Sequence, residues 1–235
     1  MAQRKTGDLE PGGDELVGEE VPIWQRRSVD RSLQGARARA QDRSDRFAAA
    51  ALELIEEGEV GDLTIQDVID RSEMSLRTFY RFFDGKDSLL LAVYETILRT
   101  LAVPLLREAC DKHSDPVARL KALLETMSEL TAVPNAIARA LSVYHLRLVE
   151  TRPHDLAHAL EPLRGLIAEL LVGVDDAGLL RDDLDLTTQA GLLQELLLTS
   201  AHSAVLAGIR QVSAEDLWAF CSAAILRPGV ARATV

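Results

Sequence analysis

Four side chains within one short stretch have the types and spacing to touch a nucleic acid: Arg77, Thr78, Tyr80 and Arg81. Interleaved with them, Phe79, Phe82 and Phe83 recur at i, i+3 and i+4, the spacing of one buried helical face. Burying the three phenylalanines turns the two arginines, the threonine and the tyrosine outward. An exposed helix of about two turns fits a major groove, where arginine bonds the O6 and N7 of guanine bidentately. The plainer alternative is an ordinary helical hairpin whose polar side is simply solvated.

A second cluster, His154-Asp155-Leu156-Ala157-His158, sets two histidines four residues apart with an acid between them, a spacing able to hold a metal. However, Asp stands where zinc peptidases use Glu, and no third ligand with its own setting follows. No Gly-rich phosphate loop, no Gly-x-Ser-x-Gly elbow and no Cys-His pairing is recognisable. The sequence therefore predicts no catalytic residue, no metal site and no cofactor, and a metal-dependent hydrolase is the least favoured reading.

The groove-facing residues need elements to hold them. Thr64 can cap a preceding helix, with Asp67 three residues on as the acidic half of a capping box and Ile65, Val68 and Ile69 as its apolar face. That helix should end near Ser72, with Glu73 and Met74 in the turn, Ser75 as the next cap and Leu76 opening the groove-facing helix. Upstream, a helix over 41–57 carries Phe47, Ala51, Leu54 and Ile55 on one side, with Gly58 and Gly61 closing it. Downstream, Asp84 or Gly85 caps a long helix whose first turn holds Lys86 beside free backbone N–H groups, a favourable place for a phosphate. Leu89, Leu90, Val93, Ile97 and Leu101 continue its apolar face to Pro104, where it should kink or end.

These residues resemble the TetR-type one-component transcriptional repressors. The resemblance rests on Thr64, Ser75, Thr78, Tyr80, Phe83, Lys86, Leu89 and Leu90, which fall in register over roughly residues 40 to 95. Two positions depart from the pattern: Glu73 stands where the family usually has Gly in the turn, and Ile69 where it usually has Ala. A left-handed backbone at Glu73 costs about 1 kcal/mol relative to Gly, which a packed helix pair can absorb. The resemblance implies an all-α fold: an N-terminal three-helix DNA-binding domain with a helix-turn-helix, then a larger helical ligand-binding and dimerisation domain. It also implies a phosphate contact for Lys86, dimerisation through the last two long helices as a four-helix bundle, and release from DNA when a small molecule binds the C-terminal domain.

Composition agrees with a helical globular protein of 235 residues, 47% hydrophobic and 27% charged, with scarce aromatics. The formal net charge of -11 argues against indiscriminate coating of nucleic acid. Its distribution is uneven: between Trp24 and Arg46 stand seven arginines (Arg26, Arg27, Arg31, Arg37, Arg39, Arg43 and Arg46) against Asp30, Asp42 and Asp45. That surplus sits beside the reading module and can neutralise phosphates, with Arg43 the nearest candidate; acids inside the module, including Asp62, Asp70, Asp84 and Asp87, favour a few placed contacts that weaken with salt. Cys110 and Cys221 are far apart, and no signal peptide is legible, so a reducing cytoplasm is expected. The apolar stretch from Leu186 to Ile209 is broken by Gln194, Glu195 and His202, which suits a buried helix and not a membrane span.

The expected organisation is a disordered or basic arm over 1–38, within which the arginine-rich residues 24–40 could instead extend the first helix or lie in the minor groove, the helix-turn-helix domain over 39–85, the regulatory and dimerisation domain over 86–228 and a disordered tail over 229–235. Within the third, helices should start at Pro116 behind an Asp115 cap, at Pro134, at Pro153 (running across Pro162 to about Asp176), at Leu186 (to about Arg210) and behind a Ser213 cap. The last two are apolar on more than one face, which predicts a homodimer through residues such as Leu193, Leu197, Val205, Leu217 and Phe220. A two-fold dimer spaces its reading helices one DNA turn, ~34 Å, or a multiple apart and so requires double-stranded DNA with a palindromic operator. Met127, Tyr144, His145, His202 and Trp218, polar or soft groups on otherwise apolar helices, are the candidate contacts to a small, apolar effector; for any of them the plain alternative is a satisfied core residue. The competing interaction-class reading is a helical sensor with weak DNA binding.

Overall fold

A computed structural model of the chain describes residues 23–58, 63–132, 135–207 and 212–228. Residues 1–22 of the arm expected over 1–38, the tail over 229–235, Gly61, Asp62 and Pro134 lie outside them, and residues 23–38 of that arm are helical. The chain divides into two compact units, Met1–Asp42 and Arg43–Val235.

Eleven α-helices and no named strand occur among the described residues. Helix α1 spans Ile23–Glu56, so it begins well before the expected Gln41. The Ala-, Arg- and Gln-rich lead-in contains no Pro and few turn formers, and its helix propensity suffices to continue the helix upstream. Gly58, at φ +104, ends the element.

Helix α2 (Ile65–Ser72) opens on the expected capping box: Asp67 N–H donates to Thr64 Oγ1 over 3.1 Å and Thr64 N–H to Asp67 Oδ2 over 2.9 Å. Glu73 then turns left-handed at φ 55, and the Met74 N–H returns to the Ile69 carbonyl over 3.3 Å, closing the turn. Ser75 Oγ accepts from Thr78 N–H over 3.2 Å and starts α3 (Leu76–Phe79), shorter than expected because Tyr80–Phe82 continue as turns. Phe47 of α1 stands edge-on to Phe79 (centroids 5.5 Å apart) and Phe83 (5.9 Å), and this cluster locks α3 against its brace.

Gly85 caps α4 (Lys86–Ile97), where the Ser88 hydroxyl accepts from the Asp84 N–H over 3.0 Å. Pro104 does not end this helix. It lacks an N–H and crowds the carbonyl four residues back, and the chain accommodates it with a π-helical segment, Leu98–Ala102, before α5 (Val103–Asp111). The run Lys86–Asp111 has the length and mean hydropathy, 1.7, of a membrane span. Its Leu89, Leu90, Val93, Tyr94, Ile97 and Leu106 are instead buried in the protein's own core.

Helix α6 (Pro116–Ala132) is capped by Asp115, whose Oδ2 accepts from Ala118 N–H over 2.7 Å. The cap of α7 (Ala136–Thr151) is Asn135, which accepts from Ala138 N–H over 2.7 Å, one residue after the expected proline. The single helix expected from Pro153 to Asp176 is two, α8 (Pro153–Ala159) and α9 (Glu161–Asp176), because Pro162 near the start of α9 has no N–H to continue the ladder. Helices α10 (Leu186–Ala207) and α11 (Ala214–Ile225, capped by Ser213 onto Asp216 N–H at 3.0 Å) complete the bundle; the expected end of α10 at Arg210 lies outside the described residues. Helix α10 packs on α6, α7 and α9, and α11 on α6. An antiparallel bridge, Leu180 to Leu226, ties the end of α11 back to the bundle.

Candidate nucleic-acid interface

The caps and the phenylalanine cluster leave one side of α3 in solvent. Arg77 and Arg81 are exposed there, as is Arg43 on α1, and none of the three has an ion pair among the described residues. Tyr80 is 57% exposed, its ring propped edge-on by Phe79 at 5.4 Å. Leu76, at the start of α3, is a large apolar side chain left 49% exposed. Thr78 is half-buried and its hydroxyl lies 2.8 Å from that of Ser75, so both hydroxyls serve the cap first. The Thr64 hydroxyl is likewise occupied by Asp67, 2.5 Å away. Two hydrogen bonds from Thr64 hold the Asp67 carboxyl below its ordinary range, and the nearby Lys86 ammonium lowers it further. The first turns of α2 and α4 therefore lie within each other's field, with Lys86 between them.

Four of the module's acids, which looked unfavourable for DNA, are already engaged. Asp67 closes the capping box, Asp70 accepts from Gln66 Nε2 over 2.7 Å, Asp84 pairs with Arg152, and Asp87 pairs with Arg147. Of the described acids between Thr64 and Leu90, Glu73 alone has neither a hydrogen bond nor an ion pair from its side chain. Arg71, in contrast to Arg77 and Arg81, is spent on Glu57 (2.6 Å) and Glu53 (3.4 Å) of α1. A module rich in acids thus presents unpaired arginines on the one face that is free.

Behind this head lies an apolar cavity of about 280 Å³ bounded by α4, α5, α6, α7 and α10. Met127 and His202 line it, together with Tyr94 and Ser142, which sequence reasoning did not select because their helical positions read as plain core. His145 stands one layer behind: its Nδ1 is 3.0 Å from the Tyr94 hydroxyl, and its ring lies 4.6 Å from that of His202. Burial, helped by the neighbouring His145, pushes His202 down to about 4, and burial lowers His145 as well, so both imidazoles are neutral at pH 7. Tyr144 and Trp218 are buried away from this cavity. Burial raises the Tyr144 phenol to about 12, and Trp218 sits under Lys121 Nζ at 6.0 Å with its indole N–H unpartnered among the described residues.

Of the expected dimer residues, Leu193, Leu197 and Leu217 pack into the chain's own core, where they satisfy their hydrophobicity within one subunit. Val205 is half-buried, Phe220 on α11 is 65% exposed and Leu192 on α10 is 59% exposed. His154 and His158 are exposed, His158 pairing with Glu161 at 3.1 Å; no group of three metal-ligating side chains assembles among the described residues.

An all-α chain whose capped helix-turn-helix offers free arginines is a DNA-binding transcriptional regulator. Residues 48–93 match the family model of the bacterial regulatory proteins, tetR family, so the reading module is of the TetR type. Among curated proteins no relative matches. Similar solved structures include FadR of Thermus thermophilus, a TetR family transcriptional repressor in complex with lauroyl-CoA (26% identity over 74% of this chain and 89% of that one, TM-score 0.60). RolR in complex with resorcinol (17%, 83% and 94%, TM-score 0.63) and SmeT, the repressor of the Stenotrophomonas maltophilia multidrug efflux pump SmeDEF (19%, 80% and 92%, TM-score 0.56), share the fold.

Proposed function

We propose that the protein is a cytoplasmic, ligand-responsive repressor that binds a palindromic operator in double-stranded DNA as a homodimer and leaves it when a small, largely apolar effector occupies the cavity behind α4. In this reading Arg77, Tyr80 and Arg81 meet base edges or phosphates, Leu76 packs on a thymine methyl, and Thr64, Ser75 and Thr78 hold the reading helix and lend hydroxyls to the backbone. Lys86 and Arg43 neutralise phosphates. Leu192, Val205 and Phe220 form the dimer face, with Leu193, Leu197 and Leu217 supporting it from beneath.

One observation carries the reading: the helix that lines the cavity with Tyr94 and Ile97 is the helix whose first turn carries Lys86, directly after the reading head. The same first turn is tied to α7 by Arg147–Asp87 and Arg152–Asp84. A ligand that favours a shifted α4 therefore moves the reader, and ~1–3 kcal/mol of coupling lowers operator affinity by 5–150-fold. Titrating the purified protein onto DNA flanking its own gene tests it: a specific complex is expected, largely lost on Arg77→Ala, Tyr80→Ala or Arg81→Ala. Variants that bind like the wild type would overturn the assignment of the reading helix.

A further inference from the structure

The cavity behind α4 is not alone. A second one of about 240 Å³ adjoins it between α6, α10 and the start of α11, and Met127, Thr131 and Ala201 belong to the walls of both. The two differ in character. The first is lined mainly by aliphatic side chains; of its polar members, Tyr94, Thr131 and Asn135 are hydrogen-bonded within the fold, while the side chains of Ser142 and His202 hold no hydrogen bond among the described residues. The second is lined by a run of hydroxyls: Ser128, Thr131, Thr199, Ser200 and Ser203. Thr131 bonds back to the carbonyls of Met127 and Ser128, whereas the hydroxyls of Ser128, Thr199, Ser200 and Ser203 have no partner among the described residues. Among the described residues no Lys, Arg, Asp or Glu lines either chamber.

From this pairing we infer that the effector is an uncharged amphiphile: an aliphatic tail in the chamber behind α4 and a hydroxyl-bearing neutral head in the serine- and threonine-lined chamber, passing the Met127 thioether. The inference rests on the ligand-responsive reading above and narrows its ligand. Charge decides the class, because a carboxylate or phosphate brought among these described wall residues, none of them a cation, would lose its hydration without compensation. The neutral imidazole of His202 supplies none. Size sets the tail, since 280 Å³ holds roughly ten methylene-sized groups at about 30 Å³ each. Met127 suits the junction because its unbranched thioether changes rotamer at little cost and can stand aside for a chain.

The test uses the full-length protein and four probes with one ten-carbon tail: 1-monodecanoylglycerol, 1-decanol, decanoate and decanoyl-CoA. Thermal shift should show 1-monodecanoylglycerol raising the melting temperature by roughly 5–10 °C at about 100 times its dissociation constant, with decanoate and decanoyl-CoA at least about tenfold weaker. The double variant Ser128→Ala with Ser200→Ala should lose about tenfold in affinity for the glycerol ester and none for 1-decanol. Tighter binding of decanoyl-CoA, equal loss for both neutral probes, or no binding of any probe would overturn the inference. DNA binding measured without probe separates the two readings. A specific operator complex with no probe bound leaves the regulator and removes the amphiphile; a bound glycerol ester with no operator complex does the reverse.

Discussion

Replacing Arg77 by alanine removes an exposed guanidinium that has no ion pair among the described residues, so it should leave the fold within about 0.5 kcal/mol of the parent. Its effect on DNA is a different matter. A bidentate arginine–guanine contact is worth about 1–3 kcal/mol, and a two-fold dimer makes it twice, giving ~2–6 kcal/mol, or roughly 30-fold to 20,000-fold in affinity. Lys86→Ala removes a point charge at the first turn of α4, where a phosphate is the expected partner, and two lost phosphate contacts should flatten the plot of log affinity against log salt by about 1.8. The two losses are therefore separable. Fluorescence anisotropy on labelled operator and on scrambled DNA, each at several salt concentrations, should show Arg77→Ala losing mainly the specific complex and Lys86→Ala weakening both. If Arg77→Ala keeps wild-type specific affinity while its melting curve is unchanged, α3 is not the reading helix.

Other consequences follow from single contacts. Glu73→Gly relieves a left-handed non-glycine residue at φ 55 and deletes the unpaired acid of the module. It should raise stability by about 0.5–1 kcal/mol, or ~2–4 °C in melting temperature, and tighten DNA binding; a fall in stability would show that the turn prefers the glutamate. His202 is held neutral in the fold, with its value lowered from 6.5 to about 4, so the unfolded chain binds a proton in that window and the folded one does not. Stability should therefore fall as the pH drops from about 6.5 to 4, and His202→Phe should reduce that loss; an unchanged acid profile would refute it. Arg147→Ala combined with Arg152→Ala cuts both ties between α7 and the start of α4. Exposed pairs are worth about 1 kcal/mol or less, so the fold should persist while effector binding no longer releases the operator; full release would place the coupling elsewhere. Phe220→Asp, on the exposed side of α11, should shift sedimentation from dimer to monomer and reduce operator binding with it.

How much of this was legible depended on the range of the interaction involved. The caps at Thr64 and Ser75, the left turn at Glu73 and the phenylalanine face are set by residues within four positions of one another, and the geometry reproduces them. Prolines were ambiguous, because the same ring can start a helix, break it or be absorbed: Pro116 starts α6, Pro162 divides α8 from α9, and Pro104 is taken up by a π turn that lets α4 run into α5. Nothing within a few residues of Pro104 announces that outcome, since it depends on how Leu98 and Leu106 are buried by distant helices.

The pockets and the dimer face were the least legible, for a related reason. Apolar residues on all sides of α10 signalled more than one packing partner but could not say which side each partner took, and the fold gives Leu193 and Leu197 to the core and Leu192 to the surface. Tyr94 and Ser142 looked like core because in sequence they are core; they become cavity walls only where neighbouring helices fail to meet, and a gap between helices has no sequence of its own. The acids of the reading module carry the same lesson in charge. Counted along the chain they oppose DNA, yet Asp84 and Asp87 answer to Arg152 and Arg147, more than fifty positions away. Net charge is additive along a sequence, whereas the field at a groove is set by which charges remain unpaired on the face that meets it. Arg77 and Arg81 are free there, against Glu73 as the one described acid of the module left unpaired, so a chain of formal charge -11 can still bring a positive edge to DNA.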